Sequence, residues 1–338
     1  MNRPGPLVLT MGEPASIAPE ITAKLWHLVR EAGRADWQFL VIGEPELYRQ
    51  LGLKVALITK PAEALSHFNT ALPVMVESLP VTVKPGIMDR ATAPATIASI
   101  SRAVDLVQQG QAAAIITNPI NKAQLQGAGF GFPGHTEYLQ ELSRQHQAST
   151  DNHAVMMLTS ERLQPPLRVV PITVHLPLRD AVTALTAERI ITTATVTAHD
   201  LRSRFAIAEP RLAVAGLNPH AGEKGTIGRE EIEIMTPAIT ALQQQGVNIS
   251  GPFSADSLFH DAARQAYDAV LCPTHDQALI PLKSLDFSGG VNCTLGLDFI
   301  RTSPDHGTAL DIAGQNRADP TSLFEAVKLA ARMVQNGR

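Results

Sequence analysis

A chain of 338 residues is longer than one hydrophobic core usually serves, so two lobes are expected. Hydrophobic residues make up 44% and charged residues 18%, enough apolar material for a large core and too much for a disordered chain. The net charge of -4, with Lys and Arg scattered along the chain, gives no electrostatic basis for binding nucleic acid. Two cysteines, Cys272 and Cys293, both inside strand-like runs, exclude a disulfide framework and read as small buried hydrophobes in a reducing cytoplasm. The opening MNRPGPLVLTMGEP lacks the apolar core of a signal peptide, and no run approaches a membrane span.

The first strand-like run is 7–10. A helical pattern at 20–32 follows Pro19, a good first-turn residue, and stops at Gly33. Next come a strand at 38–42, a helix at 95–109 between Pro94 and Gly110, and a strand at 113–117. Strands at 154–158 and 169–174 precede a long amphipathic pattern at 185–205. A strand at 212–216, a helix at 230–245 ending at Gly246, strands at 269–272 and 291–295 and a helix at 322–336 complete the series. This alternation predicts an α/β protein with mostly parallel sheets covered by helices. No repeat, low-complexity segment or Gly/Ser linker divides the chain, so the two lobes are expected to share it discontinuously and to meet across a cleft.

Three histidines each follow an apolar run: His175 in ITVHLPL, His220 in AVAGLNPHAGE and His275 in AVLCPTHDQ. Open α/β sheets bind ligands outside the carboxyl ends of their strands. Three neutral imidazoles converging there would form an open divalent-metal site, and Asn218, Glu223, Asp276 and Gln277 lie beside them in sequence. A lone histidine is more often a hydrogen-bonded structural residue; the repeated context is what favours a metal. Gly129, Gly131 and Gly134 formally satisfy GxGxxG, but a helix end rather than a strand precedes them and Pro133 interrupts the motif. A Rossmann fingerprint is therefore refused, and no P-loop is present. The densest chemistry is 274–320, which gathers His275, Asp276, Lys283, Asn292, Arg301, Asp305, His306 and Asp311. Arg offers a planar fork to carboxylate or phosphate and Lys a point charge.

GEPASIAPEI, TNPINKAQL, FPGHTEYL, VHLPL, GLNPHAGEKGTIGREE, GPFSADSLF, THDQ and VNCTLGLDFIRTSPDHGTALDIAG occur in order along nearly the whole chain. In these motifs the chain resembles the 4-hydroxythreonine-4-phosphate dehydrogenases of pyridoxal phosphate biosynthesis. The resemblance implies a fold like that of the isocitrate and isopropylmalate dehydrogenases, with two α/β lobes, 1–130 plus 305–338 and 131–304. It implies NAD or NADP held without a Rossmann fingerprint by His306, Gly307, Thr308, Ala309, Asp311 and Ile312. It assigns the metal to His175, His220 and His275, substrate contacts to His135, Thr136, Lys283, Asn292 and Arg301, and a homodimer with shared active sites. The family's first motif usually reads GDPAGIGPE; Glu13, Ser16 and Ala18 depart from it here, and Thr274 stands where Tyr is common.

The expected reaction removes hydride from a carbinol carbon to the nicotinamide and a proton from its oxygen, after which the β-keto acid loses carbon dioxide. One divalent ion (Zn, Mg, Co, Mn or Ni) would lower the pKa of the alcohol and act as electron sink. Asp256, Asp276 and Lys283 are the catalytic candidates, with a helix cap for Asp256 and a loop hydrogen bond for Asp276 as the structural alternatives. Three other readings stay open. They are a dehydrogenase of a related four-carbon phosphorylated acid (phosphothreonate or phosphoerythronate type), an acyl transferase to phosphate, and a non-enzymatic metal or phosphate-binding module.

Overall fold

Pairing in register along LVLT buries every residue of the first strand, and the rest of its unit is laid out around it. The computed structural model describes residues 5–132, 134–146 and 153–337. In chain order the strands are β1 (Leu7–Thr10), β2 (Phe39–Gly43), β3 (Val55–Ile58), β4 (Leu72–Val76), β5 (Ile115–Ile116), β6 (Val155–Ser160), β7 (Leu167–Pro171), β8 (Leu212–Ala215), β9 (Ile249–Phe253), β10 (Ala269–Cys272), β11 (Val291–Leu295) and β12 (Arg301–Pro304). The helices are α1 (Ala18–Ala32), α2 (Pro45–Arg49), α3 (Ala64–His67), α4 (Ala93–Gln108), α5 (Lys122–Gly127), α6 (His135–His146), α7 (Leu178–Ala184), α8 (Ala187–Arg204), α9 (Thr236–Gln244), α10 (Asp261–Arg264), α11 (His275–Leu285) and α12 (Thr321–Asn336).

The chain forms two compact units, Met1–Asn152 with Leu297–Gln335, and His153–Gly296 with Asn336–Arg338. The changes of unit thus fall at 152/153 and 296/297, where the resemblance implied 130/131 and 304/305. In the first unit the strand order is β3-β4-β2-β1-β5-β12 and each recorded pairing is parallel. Helix α4 is pinned to two strand ends through one hydroxyl: Ser99 Oγ donates to Ile42 O at 2.8 Å and accepts from Met11 N at 3.0 Å. In the second unit the order is β11-β6-β7-β10-β8-β9; β7-β10-β8-β9 is parallel, and β6 runs antiparallel to both β7 and β11. The mostly parallel α/β class expected from the alternation is what forms.

The strongly apolar strands fall where the sequence places them, while β3, β4, β9 and β12 add to the expected set. Strand β12 is RTSP, all four residues buried, with no apolar pattern to mark it. Distant partners satisfy its polar groups: Thr302 Oγ1 donates to Ala326 O at 2.9 Å, and Arg301 donates to Thr117 Oγ1. The helix expected at 230–245 begins as a π-helical turn, Glu231–Met235, before α9. Helix α11 replaces the loop expected after Cys272, because Thr274 and Gln277 form a capping box. Both cysteines are buried, and burial raises the Cys272 thiol pKa far above its ordinary value. No helix among the described residues is long and apolar enough to cross a membrane.

Candidate active site

Parallel strands deliver all their carboxyl ends to one edge of a sheet. In the second unit β7 ends just before His175, β10 before His275, β8 before His220 and β9 before Asp256. The strand order β7-β10-β8-β9 sets His175 beside His275, and their ring centroids are 5.6 Å apart at 44°. Hydrogen bonds tie these strand ends together. Thr173 donates from N and Oγ1 to Pro273 O at 3.2 and 2.6 Å, Gln277 Nε2 to Gly216 O at 2.8 Å, and Gly216 N to Phe253 O at 2.7 Å.

His220 stands on an unusual support. His220, Ala221, Gly222, Glu223 and Lys224 all have positive φ, between 42° and 76°, a left-handed turn that costs L-residues roughly 1–2 kcal/mol each. The buried Glu231 carboxylate holds it, accepting from Asn218 N at 2.7 Å and Asn218 Nδ2 at 2.9 Å, while Glu230 Oε2 accepts from the same amide at 2.8 Å. Gly222 is required because a Cβ there would lie 2.6 Å from Glu231 Oε2. GLNPHAGEKGTIGREE is therefore one device: its last two carboxylates fix the turn that presents its histidine.

The carboxylates are placed to serve these imidazoles. Asp276 accepts from His275 Nδ1 at 2.9 Å, which fixes the tautomer and leaves Nε2 as the donor for a metal. Asp256 accepts from Ser254 Oγ at 2.7 Å; that bond first, then its own backbone N–H and last the His220 imidazole, hold its carboxyl below the ordinary range. His220, Asp256 and Gln277 line a cavity of about 310 Å³. Asp256, Asp276, Gln277, Leu178 and Ile280 line another of about 640 Å³. Lys283, on α11, lies over the Phe287 ring at 5.2 Å, and Asn292 is the half-buried residue of β11 opposite Leu158.

The imidazole pair offers nitrogen donors suited to zinc, cobalt or nickel, with His220 one strand beyond His275. Among the described residues no His, Cys, Asp or Glu side chains gather in threes close enough to hold an ion. Within one chain, then, the expected trio is a facing pair and a third histidine on the adjacent strand end.

In the first unit β1, β5 and β12 release the segments 11–17, 117–121 and 305–314 at one edge. Ile17 N donates to Thr308 O at 3.2 Å, the Glu20 carboxylate accepts from Gly314 N, and Gly86 N donates to Ala15 O at 2.7 Å. The loop before α1 and the first turn of that helix thus brace the HGTALDIAG segment, in which Ala309 has φ +41° and Asp311 is exposed. The close fit at Gly12 (φ +71°), where a Cβ would lie 2.6 Å from Asn118 Cβ, explains why that glycine survives although two others of the family motif do not.

Arg301, 3% exposed, opens β12, and its Nε and Nη2 donate to Thr117 Oγ1, just beyond β5, at 3.2 and 2.7 Å. His135 opens α6, with Thr136 next, and the helix is anchored by the Tyr138–Ser101 hydroxyl pair at 2.6 Å and by Ser143 Oγ donating to Asp298 at 2.6 Å. Burial, then the charges of Arg301 and Lys122, hold the His135 pKa well below its ordinary value, so the ring is neutral. The Gly129–Gly134 stretch runs from the end of α5 into α6 with no strand before it, as its refusal as a Rossmann fingerprint requires; Pro133 itself lies outside the described residues. The sequence does not single out Glu231, which stands inside a quoted motif; only its hydrogen bonds to Asn218 mark it.

Residues 36–330 match the family described as Pyridoxal phosphate biosynthetic protein PdxA. The chain is 48% identical over 338 residues to a 4-hydroxythreonine-4-phosphate dehydrogenase of Xanthobacter autotrophicus, spanning 98% of this chain and 95% of that protein. It is 49% identical over 333 residues to one of Caulobacter vibrioides, spanning 97% of each. A crystal structure of a 4-hydroxythreonine-4-phosphate dehydrogenase from Klebsiella pneumoniae superposes with a TM-score of 0.83 at 37% identity, over 98% of both chains. This chain accordingly belongs to the PdxA family of pyridoxal phosphate biosynthetic proteins.

Proposed function

We propose that this protein is a metal-dependent dehydrogenase that oxidises 4-phosphooxy-L-threonine with NAD or NADP. The product, 2-amino-3-oxo-4-phosphooxybutanoate, decarboxylates to 3-amino-2-oxopropyl phosphate in vitamin B6 biosynthesis. The observation that carries the reading is the delivery of His175, His275 and His220 to the ends of three adjacent parallel strands, in a chain so close to named dehydrogenases.

The secondary alcohol carbon gives its hydride to the nicotinamide, its O–H proton goes to a base, and a C=O forms. The bond to the carboxylate then breaks, carbon dioxide leaves, and the carbon takes up a proton. A divalent ion lowers the pKa of an alcohol and stabilises developing negative charge, while a nicotinamide accepts the hydride. The residues proposed to hold that ion are His175, His220 and His275. Asp276 keeps the His275 ring in the ligating tautomer. Asp256, ionised and lining both cavities, is the proposed proton acceptor, and Lys283 and Asn292 contact the substrate. Arg301, His135 and Thr136 take the phosphate: Arg301 supplies charge and neutral His135 a hydrogen bond. His306, Gly307, Thr308, Ala309, Asp311 and Ile312 form the proposed nucleotide loop, its exposed Asp311 able to accept from a ribose hydroxyl.

A homodimer with shared active sites, in the cytoplasm, completes the proposal. Leu178, Ile280 and Phe287 are 70%, 62% and 78% exposed; Leu178 and Ile280 line the larger cavity and Phe287 lies just beyond α11, an apolar surface that a second subunit would cover.

The test is growth of NADH absorbance with metal-loaded protein and 4-phosphooxy-L-threonine, run beside a four-carbon phosphorylated hydroxy acid that lacks the amine. His220→Ala should lose turnover while keeping its circular dichroism spectrum. Wild-type protein that turns over only the hydroxy acid, or a variant that retains most of its activity, would reject the reading.

A further inference from the structure

We propose that Lys122 is a further substrate-binding residue, the second cation of the phosphate subsite formed by Arg301, His135 and the first turn of α6. The inference rests on the reading that this subsite receives the substrate's phosphate.

Local sequence fixes the position of Lys122. Asn121 caps α5, its Oδ1 accepting from Gln124 N at 3.0 Å, so Lys122 is the first residue of that helix. From there its stem passes over Gly134: a Cβ at Gly134 would lie 3.2 Å from Lys122 Cε and 3.4 Å from Nζ. The glycine before His135 is therefore the space the lysine uses. Glu137 Oε2 lies 3.4 Å from the same point, so the glycine also leaves space for that carboxylate.

What the ammonium reaches is a site with unmet capacity. His135 Nε2 is out of solvent contact and has no hydrogen-bond partner, although the residue as a whole is half-buried. The first turn of α6, a 12-residue helix, points its N–H groups the same way. Both Arg301 and Lys122 are near enough to oppose protonation of that ring. A phosphate dianion asks for about two positive charges plus neutral donors. Arg301 and Lys122 supply the charges; His135 and the α6 backbone supply the donors. A carboxylate, with a single charge, gains less from the second cation, so Lys122 favours the phosphorylated end of the substrate.

The test compares Lys122→Met and Lys122→Arg in the metal-loaded enzyme, with Lys122→Gln should the Met variant fold poorly. Loss of one charge-assisted contact should raise KM for the phosphorylated substrate roughly tenfold, leave kcat within about threefold, and weaken inorganic phosphate binding by calorimetry. Lys122→Arg should recover most of the loss. A Lys122→Met KM within about twofold of wild type, or a loss confined to kcat, overturns the inference; in that case His135→Asn and Arg301→Met still raise KM. If those two also leave KM unchanged, the phosphate reading of the subsite fails with it.

Discussion

Glu231 takes both the backbone and the side-chain N–H of Asn218, at 2.7 and 2.9 Å, and so decides where His220 two residues later can stand. Glu231→Gln keeps size but replaces one acceptor oxygen with a donor facing an N–H. The loss of charged, buried hydrogen bonds should cost about 1–3 kcal/mol locally and free the left-handed turn. Zinc or cobalt affinity should fall roughly 10- to 100-fold while the global melting transition moves by only a few degrees. Titration calorimetry with the metal decides it; unchanged affinity would show that the turn holds itself.

Asp276 fixes the His275 tautomer through a 2.9 Å hydrogen bond. Asp276→Asn offers an amide in place of a carboxylate, so the imidazole loses its preference for a free Nε2. Metal affinity and kcat/KM should drop together, by roughly 10- to 100-fold, with KM for the nicotinamide cofactor unaltered. A fall in kcat/KM at unchanged metal affinity would instead assign Asp276 to proton transfer.

Glu13 gives a pH prediction. Burial pushes its pKa up from 4.5 to about 7 against the weaker, lowering effect of the Ala15 N–H. The native state then holds this proton more tightly than the unfolded chain, so the Glu13 contribution to stability is greatest below pH 4.5 and declines as pH rises towards 7. Above that pH the ionised buried carboxylate is a constant penalty of about 3 kcal/mol. Glu13→Gln should therefore flatten the stability profile between pH 5 and 8 and gain most at the alkaline end. Urea midpoints across that range measure it, and parallel profiles for the two proteins would contradict it.

Much of the architecture was legible because buried parallel strands read as unbroken apolar runs. LVLT, LAVA and AVLC need no partner in view to be recognised. The same logic placed α1 and α4 between Pro and Gly boundaries, Pro19 to Gly33 and Pro94 to Gly110. It failed for β12 because Arg301, Thr302 and Ser303 are polar, and only partners far along the chain make their burial tolerable. It missed α11 because a capping box is easily overlooked when Pro281 lies inside the helix.

The sequence by itself determined the residue types of the site and, for the three imidazoles, their attachment to the strand ends of β7, β8 and β10. That much is local, since strand propensity and the chain direction place whatever follows at the sheet's carboxyl edge. Only the tertiary structure decided which of them meet. Strand order β7-β10-β8 is not chain order, so His175 faces His275 rather than His220. Likewise the end of the Lys122 side chain lies beside the residue before His135 only because Gly134 has no side chain to fill that space. Such adjacency is set by packing and crossover connections between residues far apart in the chain, and no local pattern encodes it.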